Sequence, residues 1–201
     1  QAQLTDARLA ALSSQLNPHF LFNALNSIAE LVHRDPNAAD GMIVGLSALL
    51  RNSLESAANQ QVPLDEELRL LGYYLDIEKI RLGERLQVEW DVAPDTRAAL
   101  VPPLLLQPLV ENAVRHGISR RLGAGTIRVL AKNEGGRLCL EVHDDGAGAS
   151  AGSGFGIGLG TTRQRLQALY GDDGALELLP SPQGTVVRLS LPFRTLRQKA
   201  A

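Results

Sequence analysis

Apolar residues recur every three to five positions through Leu4, Leu9, Leu12, Leu16, Phe20, Leu25, Ile28 and Leu31, and this spacing predicts one long amphipathic helix over 4–32. Pro18 falls inside it. A proline there removes a main-chain hydrogen bond, so the rod is expected to bend or loosen around His19. The polar run His33-Arg34-Asp35-Pro36-Asn37 predicts a turn. A second helix is expected over 38–54 with Ile43, Leu46, Leu50 and Leu54 inward, and a third over 65–82 with Leu68, Leu71 and Leu75 inward. Asp65, soon after Pro63, is placed to cap the third. A helix with one apolar stripe has to bury it, so the first two should pack on each other and on a second copy of the chain, as a dimeric four-helix bundle.

From Leu86 the pattern changes. Residues 86–92 alternate as a strand, Pro102-Pro103 opens a helix running through Arg115, and 126–132 pairs with 137–143 across Glu134-Gly135-Gly136 as a hairpin. The stretch from Gly146 to Gly160 is rich in glycine; beyond it come a helix over 161–170 and strands over 175–179 and 185–191. The expected fold class is α+β: a helical region over 1–84, a mixed sheet with helices packed on it over 85–194, and a tail over 195–201. There is no internal repeat.

Composition narrows the classes. The 201 residues suffice for one large domain or two small ones. Lys and Arg number 20 against 22 Asp and Glu, and the pI is near 6.1, which leaves no basic surplus for nucleic acid or an anionic membrane surface. The tail charges Arg194, Arg197 and Lys199 are expected to be solvated. Cys139 is the lone cysteine, so no internal disulfide can form, and a reducing compartment is expected. No apolar run approaches the roughly 20 residues needed to span a bilayer. The chain begins at Gln1 and its single methionine is Met42, so a piece of a longer product is expected.

Four constellations carry candidate chemistry. The hairpin strand delivers Asp144 to a turn whose Gly146 and Gly148 let a ligand lie against the backbone, where a carboxylate can accept the amino hydrogens of adenine. Alone, Asp-x-Gly-x-Gly also fits a capped acidic turn. Glu111 and Asn112 share a helix with Arg115 and His116; Asn112 supplies a hard oxygen for magnesium, and Glu111 either orders a magnesium-bound water or acts as base. Alone, this motif also fits an exposed polar face. Gly156, Gly158, Leu159, Gly160 and Thr161, at the end of the glycine-rich stretch and the start of the next helix, can cradle phosphate oxygens, although a disordered linker would look similar. The stretch matches neither Gly-x-x-x-x-Gly-Lys nor Gly-x-Gly-x-x-Gly. His19 is the candidate nucleophile towards the terminal phosphorus of ATP, with Asn23 one turn on to orient its ring. A lone histidine on a helix also fits a packed or solvent-facing residue. His33, His116 and His143 show no metal-ligand spacing with it.

Taken in order, these motifs resemble the catalytic core of a sensor histidine kinase of the LytS type, within the gyrase, Hsp90, histidine kinase and MutL ATPase superfamily. The resemblance covers Leu12 to Phe193. The string from Ser14 to Asn23 resembles the phosphoacceptor signature, and that from Leu106 to Gly117 the asparagine box. Asp144 to Gly148 and Gly156 to Gly160, followed by Arg163-Gln164-Arg165-Leu166, resemble the two glycine boxes, and Glu78-x-x-Arg81 sits where the family has such a pair. The resemblance implies a Bergerat-type α/β sandwich behind a helical dimerisation region. His19 would be phosphorylated from ATP, Asn112 would hold magnesium, and Asp144 would bind adenine. The phosphate would pass to an aspartate on the receiver domain of a response regulator, of a kind carrying a LytTR DNA-binding domain. It also implies a homodimer, with a cytoplasmic core anchored in the bacterial inner membrane by an upstream segment and no direct contact with nucleic acid.

The chain departs from the family at Thr161, where asparagine is usual, and at Asp145 and Ala147, where asparagine and proline are frequent. Phe20 follows His19 where other histidine kinases carry an acid, so Asn23 or Glu111 takes that role or no base is needed. Two other readings stand beside the kinase: a plain ATPase of the same superfamily in which Glu111 activates water, and a non-catalytic nucleotide-binding module that signals through its dimeric helices.

Overall fold

The computed structural model describes residues 18–55, 60–119, 123–146, 157–181 and 184–196. The expected stripe from Leu4 to Leu16 lies outside them. The chain forms two compact units, residues 1–60 with 68–83 and residues 61–67 with 84–201.

The helical unit holds α1 (Pro18–Arg34), α2 (Pro36–Glu55) and most of α3 (Leu64–Leu82). Asp35 alone joins α1 to α2. Its Oδ1 accepts a hydrogen bond from the Ala38 N–H at 3.0 Å, and Pro36 follows as first helical residue, so the expected turn shrinks to a single N-cap and α2 starts at Pro36. Phe20 and Ala24 of α1, Ala39, Met42, Leu46 and Leu49 of α2, and Leu68, Leu71, Tyr74 and Leu75 of α3 are buried. The Phe20 and Tyr74 rings stand 4.8 Å apart between centroids, tilted by 33°. The inward face of α2 is therefore set by Met42 and Leu49 around Leu46; Ile43, expected inward, is 47% exposed. Leu25 of α1 is exposed too, as are Phe22, Val32 and Val44.

In the sheet unit, β1 (Val62–Pro63) pairs antiparallel with β3 (Leu100–Val101) and runs straight into the first turn of α3. The Leu64 and Asp65 N–H groups donate to the carbonyls of Ala99 at 2.7 Å and Arg97 at 2.9 Å. Main-chain oxygens thus do the capping expected of Asp65, which lies inside the first turn and pairs with Arg97 at 2.5 Å.

The main sheet holds β2 (Leu86–Val92), β4 (Gly125–Glu134), β5 (Arg137–Asp144), β6 (Ala175–Ser181) and β7 (Gly184–Pro192), in the order β2-β4-β5-β7-β6. β2 and β4 are parallel and the other pairs antiparallel. Ile127, Val129 and Ala131 of β4, Leu138, Leu140 and Val142 of β5, and Val187, Leu189 and Leu191 of β7 form one buried face. The other face is charged: Arg128 pairs with Glu89, Lys132 with Asp91, and Glu141 takes both His143 and Arg188. That double pairing holds the Glu141 carboxyl below its usual range against the opposing pull of partial burial. α4 (Gln107–Asn112), extended by a wider π turn over Ala113–Ile118, and α5 (Ile157–Tyr170) supply Leu109, Val110, Ile118 and Leu166 to the core. This is the expected α+β class.

β4 and β5 meet through Gly135 and Gly136, with φ of 61° and 85°, the pair of positive φ values a two-residue hairpin turn demands. Gly136→Ala puts a Cβ into open space and should cost about 1–2 kcal/mol for its left-handed backbone. Gly184, at φ 115°, differs: a Cβ there would lie 2.7 Å from the Asp144 carbonyl carbon and 2.8 Å from the Asp145 Cα. Urea unfolding should show Gly184→Ala as clearly the less stable of the two.

Candidate functional site

The period of two that buries Leu138, Leu140 and Val142 carries Asp144 to the same face at the end of β5, so a carboxylate closes a row of core side chains. Asp144 is only 7% exposed. Its Oδ1 accepts the Gly146 N–H at 3.0 Å. Burial is the largest influence on it and raises its pKa to about 6; the Gly146 hydrogen bond works against the rise, the Asp145 charge adds to it and His143 opposes it. Asp145 Oδ1 accepts the Thr126 N–H at 2.8 Å, which ties the turn to the start of β4. Asp145 therefore has a structural task of its own.

Glycine makes the room around Asp144. A Cβ on Gly117 would lie 2.7 Å from the Asp144 Cγ, and one on Gly146 would come 2.7 Å from Oδ1 and overlap Gly117. Gly117 arrives there on the π turn, whose Ser119 N–H reaches back to the Val114 carbonyl at 2.8 Å. The expected single α-helix from Pro103 through Arg115 is thus replaced by a turn, a short α-helix and a π turn. Glu111 and Asn112 are half-buried in the α-helical part, and Gln107 Nε2 donates to Glu111 Oε1 at 2.8 Å. Arg115 and His116 are exposed on the π turn.

The turn before α4 is built on a residue with no place in the sequence reading. Glu67, buried in the first turn of α3, accepts the N–H groups of Leu104, Leu105 and Leu106 at 2.6, 2.8 and 3.3 Å. Burial raises its pKa, while these three bonds and the Arg165 charge pull it down. Arg165 Nη1 in turn donates to the Pro103 carbonyl at 2.5 Å. Only its position in an acidic run, Asp65-Glu66-Glu67, marked this stretch, and there all three acids look alike.

Helix α5 begins at Ile157, four residues before the expected Thr161, so Gly158, Leu159, Gly160 and Thr161 form its first turn, not the end of a loop. Leu159 is buried, Thr162 Oγ1 donates to the Gly158 carbonyl at 3.0 Å, and the open Cα side of Gly158 faces Pro108 of α4. The first N–H groups of such a helix have no partner within it and favour anions. Gly148 and Gly156 lie outside the described residues. Among the remaining candidates, the structure brings Asp144 and Gly146 together with the π turn after Asn112, and sets the start of α5 beside α4. His19 and Asn23 belong to the helical unit, where His19 is the second residue of α1 and Asn23 follows four positions on. Among the described residues no group of three or more His, Cys, Asp or Glu could hold a metal ion.

The family description "Histidine kinase" matches residues 7–86, and "Histidine kinase-, DNA gyrase B-, and HSP90-like ATPase" matches residues 103–195. Sensor histidine kinase BtsS of Escherichia coli (strain K12) is 36% identical over 196 residues, 96% of this chain and 35% of its own length. Sensor protein LytS of Staphylococcus saprophyticus is 33% identical over 211 residues, 98% of this chain and 36% of its own. The chain thus spans about a third of the curated relatives it matches. The histidine kinase domain of the Erythrobacter litoralis EL346 blue-light activated histidine kinase superposes with a TM-score of 0.55 at 21% identity, covering 99% of this chain and 96% of that one. A likeness of that degree shows the fold.

Raising the Asp144 pKa above its unfolded value means that its contribution is fully present below about pH 4 and is lost as pH rises through about 6. Asp144→Asn keeps the acceptor for Gly146 without the charge. It should therefore melt at a higher temperature than the parent at pH 7, and the gap should close by pH 4 in thermal scans without ligand.

Proposed function

The chain belongs to the histidine kinase family, and from that premise we propose that it is the core of a two-component sensor, passing the γ-phosphoryl group of ATP to His19 and then to an aspartate on a response-regulator receiver domain. The observation that carries the reading is Asp144, a carboxylate buried at the end of a core strand with the backbones of Gly117 and Gly146 packed directly against it.

Each residue then has a task. Asp144 accepts the amino hydrogens of adenine, and Gly117 and Gly146, by lacking side chains, let the carboxylate take up its position. The opening turn of α5, Gly158 to Thr161 with Leu159 buried beneath it, offers main-chain N–H groups to phosphate oxygens, and Gly148 and Gly156 are further candidates for nucleotide binding. Asn112, a hard oxygen donor on a half-buried helix face, suits magnesium brought in with the phosphates, and that ion would neutralise phosphate charge. Glu111, whose Oε1 accepts a hydrogen bond from Gln107, would order a water beside the ion, with Arg115 and His116 as further nucleotide-binding residues. At His19 the neutral ring nitrogen attacks the γ-phosphorus, the bond to the bridging oxygen breaks and ADP leaves. In this reading the role of Asn23 is to orient the ring so that one nitrogen is free for attack. Phe20, packed on Tyr74, anchors the helix turn that carries His19.

The exposed Phe22, Leu25, Ile43 and Val44 support a homodimer through the helical unit. A regulator of the LytTR type and a membrane anchor upstream, with this core in the cytoplasm, belong to the same proposal. No helix among the described residues is long and apolar enough to cross a membrane.

Incubated with magnesium and γ-labelled ATP, the protein should retain an acid-labile label that His19→Gln does not. Release of free phosphate without protein label would instead mark a plain ATPase. Asn23→Ala should slow labelling while leaving ATP affinity unchanged; labelling at the parental rate would remove Asn23 from the mechanism.

A further inference from the structure

Glu67 is a buried carboxylate for which the phosphoryl transfer above has no use. It is 3% exposed, and its two oxygens collect three successive main-chain N–H groups, the arrangement by which a turn binds an anion. Leu104, in that turn, has φ 56°, a conformation a branched side chain rarely adopts unless its surroundings impose it. Arg165 holds the far side of the same turn at the Pro103 carbonyl. Leu106, the last residue bonded to Glu67, is also the N-cap of α4, and its carbonyl accepts the Leu109 and Val110 N–H groups at 3.1 Å each. Three residues after those two comes the π turn. The helix that carries Glu111 and Asn112 thus starts on Glu67 and ends against Asp144.

We propose that Glu67 is a positioning residue of the nucleotide site: its carboxylate fixes the turn from which α4 starts, and through α4 sets Asn112 and Glu111 against the phosphates. The inference rests on the nucleotide-binding reading of Asn112 and Asp144. Glu67 sits in the first turn of α3, so a shift of that turn would be felt at the start of α4.

The test measures, for the parent, Asp144→Asn and Glu67→Gln, the affinity for an ATP analogue with a non-cleavable β–γ bridge in the presence of magnesium, together with amide hydrogen exchange. In Glu67→Gln an amide donor confronts N–H donors, so exchange over residues 104–112 should quicken while β4, β5 and β7 exchange as in the parent. Affinity should fall about tenfold, the effect of a buried donor left unpaired. Parental affinity in Glu67→Gln with binding lost in Asp144→Asn overturns the inference and leaves the proposed function standing. Parental affinity in Asp144→Asn overturns the reading on which it rests. Should Glu67→Gln fail to fold, Glu67→Asp retains the charge and draws it back by one methylene. Exchange quickened only over 104–112 with weakened binding supports positioning; protection lost evenly across the sheet unit overturns it.

Discussion

Burying a carboxylate at the end of a core strand is the constraint on which the sheet unit depends. Desolvation penalises the charged form of Asp144, and a single N–H from Gly146 offsets only part of that. The surroundings yield to it in three places. Gly117 and Gly146 give up their side chains to let the carboxylate fit, and Gly184 takes a left-handed backbone because β7 starts directly against the carbonyl of Asp144. The π turn follows from the same need, because a wider turn brings Gly117, not a side chain, to the carboxylate. Asp144 thus weakens the fold at neutral pH while dictating which residues can stand beside it.

Glu67 solves a related problem at the other end of α4. Here burial still leaves the carboxyl's pKa raised, but three main-chain N–H groups and a guanidinium nearby work against that rise, and what the side chain holds is the backbone of the turn. The two carboxylates bracket one short helix. Its length leaves little cooperative stability of its own, so its position is set by what grips its two ends.

The helical unit follows simpler rules. Phe20 on Tyr74, Met42 and Leu49 on either side of Leu46, and Gly45 lying close to the Tyr73 ring pack the three helices together. Among the described residues its exposed large apolar side chains are Phe22, Leu25 and Val32 of α1, the helix that includes His19 and Asn23, Ile43 and Val44 of α2, and Ile80 of α3.

Much of this was legible along the chain. The alternation in β4 and β5, the Gly135-Gly136 turn, the inward stripe of α3 and the acid followed by glycine after β5 all rest on neighbours within a few positions, where period and turn chemistry act directly. The face of α2 was ambiguous because Leu46 belongs equally to a stripe through Ile43 and Leu50 and to one through Met42 and Leu49; only the helices packed on it choose. The acid run before Leu68 could not say which carboxylate turns inward, since Glu67 meets its partners 37 to 39 residues further on. Asp144 was recognisable as a candidate, but its pKa depends on burial, and burial is set by Gly117 on another element. The sequence by itself determined the elements and the chemical groups they carry, because these follow from short-range periodicity and side-chain type; tertiary structure alone decided which carboxylates are desolvated and which glycines face them, because both depend on segments that meet only when the chain has folded.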